Sequence, residues 1–261
     1  MRFGCCAPPE RMEAVRRAGF DYVETTVART LKPLEPESEF APVRRRIQDA
    51  GIPVEAFNVF LPAEVPVVGD AVDRNRLDGY LDTAIARMEE FDGRIVVFGS
   101  GGARSTPEGF DRKRAADQII EFLSHVGPKL DRAGITLAIE PLFKPASDQI
   151  NTVGEGVAAA KRANHPRVTV LADLFHMVHE NDPFTALGEA GGLLRHVHVP
   201  VPPLEGKELR PWDYVYPQFL TSLSEAGYDH RISVEDNGGR FEDFETEAGL
   251  ALAYLKDKWG T

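Results

Sequence analysis

The sequence predicts an eight-fold parallel β/α (TIM) barrel, and three observations carry that expectation. Eight short β-like runs alternate with eight longer amphipathic stretches from end to end, which favours parallel βαβ units. Four helical stretches close on Ala-Gly (Ala18-Gly19, Ala50-Gly51, Ala133-Gly134, Ala226-Gly227), where glycine allows the left-handed cap that turns a helix into the next strand. The length of 261 residues matches the roughly 250 typical of such a barrel.

Taken in order, strands are expected at residues 2–6, 22–24, 54–58, 95–98, 136–140, 169–173, 196–199 and 231–235, each short and rich in apolar or β-branched residues. Helices are expected at 8–18, 39–50, 72–91, 111–133, 153–163, 183–190, 214–226 and 242–256, the first opened by Pro8-Pro9. An open doubly wound sheet would show the same alternation, but the count of eight favours closure. The first strand also leads into Cys5-Cys6-Ala7-Pro8-Pro9, where a dinucleotide-binding fold would carry a Gly-rich fingerprint. No linker or shift in composition marks a second domain, so residues 1–261 read as a single barrel domain.

Composition narrows the function classes. With 43% hydrophobic residues the chain has ample core material, and disorder is not favoured. A formal charge of -11 argues against affinity built on neutralising phosphates, so no nucleic-acid partner is expected. No apolar run approaches the roughly 20 residues needed to span a bilayer, so no membrane partner is expected either. Cys5 and Cys6 are the only cysteines and are adjacent, so they form no disulfide framework and read as small apolar strand residues of a reducing compartment. With Met1-Arg2-Phe3-Gly4 entering the first strand directly, a cytoplasmic location is the expectation.

Segments that enter strands are short, whereas those that leave them are longer and richer in polar and aromatic residues, which assigns function to the C-terminal face. Strands five to eight each end at or near a metal-binding side chain: Glu140, Asp173, His198 and Glu235. Closure would bring the four together at one side of the mouth. Three carboxylates and one imidazole make a hard, oxygen-rich set suited to one divalent metal ion, manganese or magnesium first, with cobalt or zinc also open. Any one of these carboxylates alone could be a helix cap or a salt-bridge partner, and His196 could compete with His198; four consecutive strands ending this way favour the joint site. His176, three residues after Asp173, is placed to hydrogen-bond a substrate oxygen or to serve only as a helix N-terminal histidine. The run Gly99-Ser100-Gly101-Gly102-Ala103-Arg104 offers backbone N–H groups and a guanidinium near the mouth, so substrate contact by Arg104 and a simple tight turn both stay open. Phe60, with Phe57 and Leu61, is a candidate apolar wall of the pocket, or packs a loop.

These words in this order resemble the sugar isomerase and epimerase superfamily of xylose-isomerase-like barrels, and the ketose 3-epimerases in particular. The carriers are Ile139-Glu140-Pro141-Leu142 with Ile150-Asn151-Thr152, Asp173-Leu174-Phe175-His176-Met177 with Glu180, His196-Val197-His198, and Ala226-Gly227-Tyr228 leading to Ser233-Val234-Glu235. The resemblance implies that Glu140, Asp173, His198 and Glu235 hold the metal and that His176 contacts a small sugar or polyol. It also implies that Glu140 and Glu235 form an acid/base pair on opposite faces of the sugar, working through a metal-stabilised enediolate. Departures are clear: where the epimerases usually carry Asn, Arg and a further Glu, this chain has Phe143, Lys144 and Ala146. An expected arginine is Leu204, with Arg210 the nearest replacement. Inosose dehydratase and hydroxypyruvate isomerase share the same enolisation and remain alternatives. A DNA-repair endonuclease of the superfamily is disfavoured by only 7 histidines and the acidic charge, and a non-catalytic sugar-binding barrel would not need both glutamates. Such barrels often pair through helices or rim loops, so a homodimer and a monomer both stay open, and no segment demands pairing.

Overall fold

The computed structural model describes residues 1–236 and 239–260, and the eight strand runs form a closed barrel. The expected domain span of 1–261 therefore includes residues 237, 238 and 261, which lie outside the described residues. The strands are β1 Arg2–Cys6, β2 Tyr22–Thr26, β3 Val54–Asn58, β4 Ile95–Phe98, β5 Thr136–Ile139, β6 Val168–Asp173, β7 Leu194–Pro200 and β8 Arg231–Glu235. They pair in sequence order, β8 closing onto β1, and every pairing is parallel. The helices are α1 Met12–Ala18, α2 Glu37–Asp49, α3 Arg74–Glu89, α4 Gly101–Arg104, α5 Arg112–Arg132, α6 Val153–Ala163, α7 Leu174–Glu180, α8 Thr185–Ala190, α9 Tyr216–Glu225 and α10 Phe244–Trp259. None of them is long and apolar enough to cross a membrane.

The differences from expectation fall on the side of the barrel where the strands end. The glycine run after β4 folds into the single turn α4, and α7 follows β6 with no loop because the Asp173 side chain caps it, accepting from Phe175 N. After β2 the chain makes a π-helical turn, Val27–Leu31, in a stretch whose sequence reads as loop. Elsewhere the local code is plain: Asp73, Asp111 and Thr152 cap α3, α5 and α6 through side-chain oxygens, satisfying donors that each helix start leaves unpaired.

Two apolar layers hold the barrel. The larger packs the outward strand faces against the helices, with Val23, Val96, Leu137, Val170, Val197 and Ile232 buried between them. The smaller, made of Tyr22, Ala56, Ile95, Val97, Ala138 and Leu171, fills the axis. Side chains alternate along a strand, so the residues two positions after Tyr22, Ala56, Ala138 and Leu171 also face the axis, one layer nearer the mouth. Those residues are Glu24, Asn58, Glu140 and Asp173. The barrel is thus apolar at mid-height and acidic at its top.

Tyr22 reaches across the axis only because β1 carries Gly4 opposite it: a Cβ on Gly4 would lie 2.3 Å from the tyrosine ring. Gly4→Ala should therefore destabilise by about 1–3 kcal/mol through overpacking. The check is the thermal midpoint by calorimetry, expected to fall by several degrees with the far-ultraviolet spectrum unchanged.

Candidate metal centre

Glu140, one residue beyond β5, and Asp173, His198 and Glu235 on β6, β7 and β8 converge at the mouth, and one donor atom from each lies within 4.8 Å of all the others. His198 Nδ1 is 3.0 Å from Glu140 Oε1 and 3.6 Å from Glu235 Oε2. Asp173 divides its two oxygens: Oδ1 accepts the α7 cap bond from Phe175 N at 2.7 Å, while Oδ2 is buried with no hydrogen-bond partner. One oxygen of this side chain thus caps the helix while the other faces the cluster. An orphaned, buried carboxylate oxygen carries a large desolvation penalty, and a cation held by the cluster would relieve it.

The charges press on one another. Burial, reinforced by the Glu140 and Glu235 carboxylates, pushes Asp173 well above the usual carboxylate range. Burial also opposes ionisation of Glu140, yet its hydrogen bond and charge contact with His198 outweigh burial and leave it below its ordinary value. For His198 burial favours the neutral ring, but Glu24 and Glu140 prevail and hold it well above the ordinary imidazole value. Three carboxylates around one imidazole form a set with the hard-oxygen character and charge that a divalent cation balances, leaving a net charge near -1.

Glu24 lies beneath the cluster and was not among the site residues expected from sequence. Its Oε1 pairs with His198 Nε2 at 2.8 Å, and its Oε2 pairs with His196 Nε2 at 2.7 Å and accepts from Ser233 Oγ at 2.7 Å. Burial disfavours its charge, but the two imidazoles overcome burial and hold the carboxyl far below its ordinary range. A carboxylate at Nε2 puts a proton there and turns Nδ1 of His198 toward Glu140 and Glu235. His196 is therefore not a competitor of His198; it sits one layer deeper on the same carboxylate. Cys6 Sγ also approaches Glu24 and His198. Burial keeps its thiol well above the ordinary value, and His198 Nε2 already serves Glu24, so that second set makes a poor metal site.

The other expected site residues separate into one that reaches the cavity and three that do not. His176 lines a cavity of about 640 Å³ together with Glu140 and Glu235. Its Nδ1 accepts from Phe143 N at 3.2 Å, its ring stacks on Phe143, and burial lowers it to about 4, so it is a neutral hydrogen-bonding group with Nε2 left to the site. Arg104 is wholly buried, donating to Phe98 O at 2.8 Å and Glu140 O at 2.6 Å, and burial lowers it to about 10. The guanidinium grips the backbone that carries Glu140 and does not face the mouth, which corrects its expected substrate contact. Phe60 is also wholly buried, turned toward Phe122, and its carbonyl accepts from Tyr80 Oη; Val59 and Leu61 line the cavity in its place. The Arg210 guanidinium lies over the Trp212 ring, which packs on Phe175, and Arg210 is not among the residues lining the cavity. The glycine run does line it, but its closest-fitting glycine makes room for a carboxylate: a Cβ on Gly99 would fall 2.1 Å from Glu140 Oε2.

A closed parallel barrel with this acidic cluster at its C-terminal mouth defines the class of the protein as a TIM barrel with a candidate metal centre at the ends of strands five to eight. The chain belongs to the xylose isomerase-like TIM barrel family, whose profile matches residues 12–258. It is 27% identical over 215 residues to the D-psicose 3-epimerase of Agrobacterium fabrum strain C58, covering 77% of this chain and 71% of that protein. It is 27% identical over 193 residues to the L-ribulose 3-epimerase of Mesorhizobium japonicum, covering 70% of this chain and 61% of that protein. A crystal structure of D-psicose 3-epimerase in the presence of D-fructose shares the fold across 100% of both chains, with a TM-score of 0.83 and 21% identity. Family and fold therefore agree with the resemblance carried by the sequence.

In a Glu24→Leu variant neither histidine keeps an acceptor at Nε2, so nothing holds the His198 proton there and Nδ1 toward the cluster. Manganese affinity, measured by calorimetric titration, should fall about 10–100-fold. Unchanged affinity would show that Glu24 does not orient His198.

Proposed function

We propose that the protein is a divalent-metal-dependent epimerase of a ketose or related oxo-sugar. One observation carries the reading: of the four clustered side chains, only Glu140 and Glu235 line the cavity, while Asp173 and His198 lie behind them. Two carboxylates are within reach of a bound sugar, which is what removal of a proton from one face and its return to the other requires.

Glu140, Asp173, His198 and Glu235 would hold the cation. When bound, it supplies a Lewis acid for the carbonyl and a neighbouring hydroxyl, lowering the energy of the charge that develops as the adjacent C–H is broken. Glu140 and Glu235 share the proton work, one as base and the other, protonated, as acid. His176, neutral and fixed by Phe143 N, presents Nε2 to a sugar oxygen. Glu24 keeps His198 in its working tautomer, and Arg104 and Gly99 keep the Glu140 carboxylate in place. Names of the relatives point to the same chemistry, both acting as ketose 3-epimerases.

Purified protein should contain about one divalent metal per chain, and chelation should abolish proton exchange between a ketose and deuterated water, with manganese restoring it. Glu140→Gln and Glu235→Gln should each lower kcat by about 10²–10⁴-fold. A metal-free protein that exchanges protons as well as the loaded one would refute the metal-dependent reading; full activity in both glutamine variants would refute the acid/base pair.

A further inference from the structure

The cavity has room beyond a single sugar. Its volume is about 640 Å³, whereas a hexose fills roughly 200 Å³, about the space of seven waters at about 30 Å³ each. Glu140, Glu235 and His176 mark the inner end. Much of the remaining lining comes from chain beyond the strand ends: the segment after β2 contributes Ala28, Arg29, Lys32, Leu34 and Glu35, and the segment after β3 contributes Val59, Pro62, Ala63 and Glu64.

This outer lobe is shaped by unusual backbone. The π-helical turn Val27–Leu31 ends in Lys32 at φ 49, and Val59 holds φ 47, a left-handed conformation that a β-branched residue rarely adopts. Ala28 N donates to Val59 O at 3.3 Å, tying the two segments together. Backbone strain of this kind collects where a binding surface has to be presented. The lobe also exposes apolar surface: Leu34 is 44% and Val59 40% exposed, two of the five large hydrophobic residues that stand out from the described surface.

Charge selects among occupants. Arg29 and Lys32 are matched in the same lining by Glu35 and Glu64, and Lys32 Nζ lies 3.9 Å from Glu39. Two cations against two carboxylates leave no net positive field for a phosphate or a carboxylate. A neutral ring with apolar C–H faces for Leu34, Val59 and Pro62, and hydroxyls for the charged groups around them, fits the mixture.

We propose that the outer lobe is a subsite for a second unit, so that the substrate is a neutral glycoside of an oxo-sugar in preference to a free ketose; this rests on the epimerase reading above. The consequence is chemical. A substituent on the anomeric oxygen locks the ring, so the carbonyl must be a ring ketone and aldose–ketose isomerisation is closed off. A glutamate takes the proton from the carbon beside that ketone while the C–H electron pair moves to the carbonyl oxygen. The protonated glutamate opposite returns a proton to the other face, the pair moves back, and the net change is inversion of one carbon with no oxidation.

The test uses the manganese-loaded full chain in deuterated water, with deuterium incorporation followed by magnetic resonance for three probes: D-fructose, its 6-phosphate, and a phenyl 3-oxo-glucopyranoside. The glycoside should be exchanged with kcat/KM at least tenfold above both others, and in Leu34→Trp and Leu34→Asp the ratio of glycoside to fructose kcat/KM should fall about tenfold. Equal or better exchange of fructose or its phosphate, or a ratio unmoved by both Leu34 variants, would overturn the subsite while leaving the epimerase reading intact. Exchange with none of the three probes would overturn both.

Discussion

A single buried carboxylate, Glu24, on which His196 and His198 both rest, organises the top of this barrel. An unpaired carboxylate at the axis would be penalised by several kcal/mol of lost hydration, so its position is tenable only while both rings and the Ser233 hydroxyl stay in place. The dependence extends downward and upward. Ser233 bonds Tyr22, Tyr22 needs the empty space at Gly4, and above them His198 presents Nδ1 to Glu140 and Glu235. Apolar packing at mid-height is thus coupled to polar geometry at the mouth through one chain of contacts.

The cluster above Glu24 illustrates how a barrel concentrates charge that the separate strands would not tolerate. Each of β6, β7 and β8, with the residue following β5, delivers one donor group, and the repulsion among three carboxylates is contained by surroundings that cannot relax. Arg104 holds the Glu140 carbonyl, the glycine at position 99 leaves room for the Glu140 carboxylate, and the α7 cap fixes one oxygen of Asp173. These supports leave Asp173 Oδ2 without a hydrogen bond, 3.7 Å from His176 Nε2. Preorganised groups of this kind do not have to reorganise when a cation or substrate arrives.

Much of this was legible along the chain, for reasons that particular residues make clear. Strand-period alternation put Glu140, Asp173, His198 and Glu235 at strand ends, and Ala-Gly words marked where helices gave way to strands. Glu24 carried the same signal, as the last residue of the predicted second strand, but its value lay in His196 and His198, more than 170 positions away. Phe60 and Arg104 misled because a one-residue change of direction in a loop decides whether a side chain meets the cavity or the helix layer. No periodicity governs such loops. Arg210 was drawn into the site only as a replacement for a missing arginine, and the structure gives it to Trp212.

The sequence by itself determined the eight-fold alternation, the closed-barrel expectation, and the four side chains at the mouth, because strand period and chain order are local properties that survive without coordinates. Tertiary structure alone decided that Glu24 sets the orientation of His198, that Arg104 and Phe60 turn inward, and that the segments after β2 and β3 open an outer lobe. Those outcomes depend on barrel closure, which brings remote strands within hydrogen-bonding distance and sends each loop either over the mouth or against the helices.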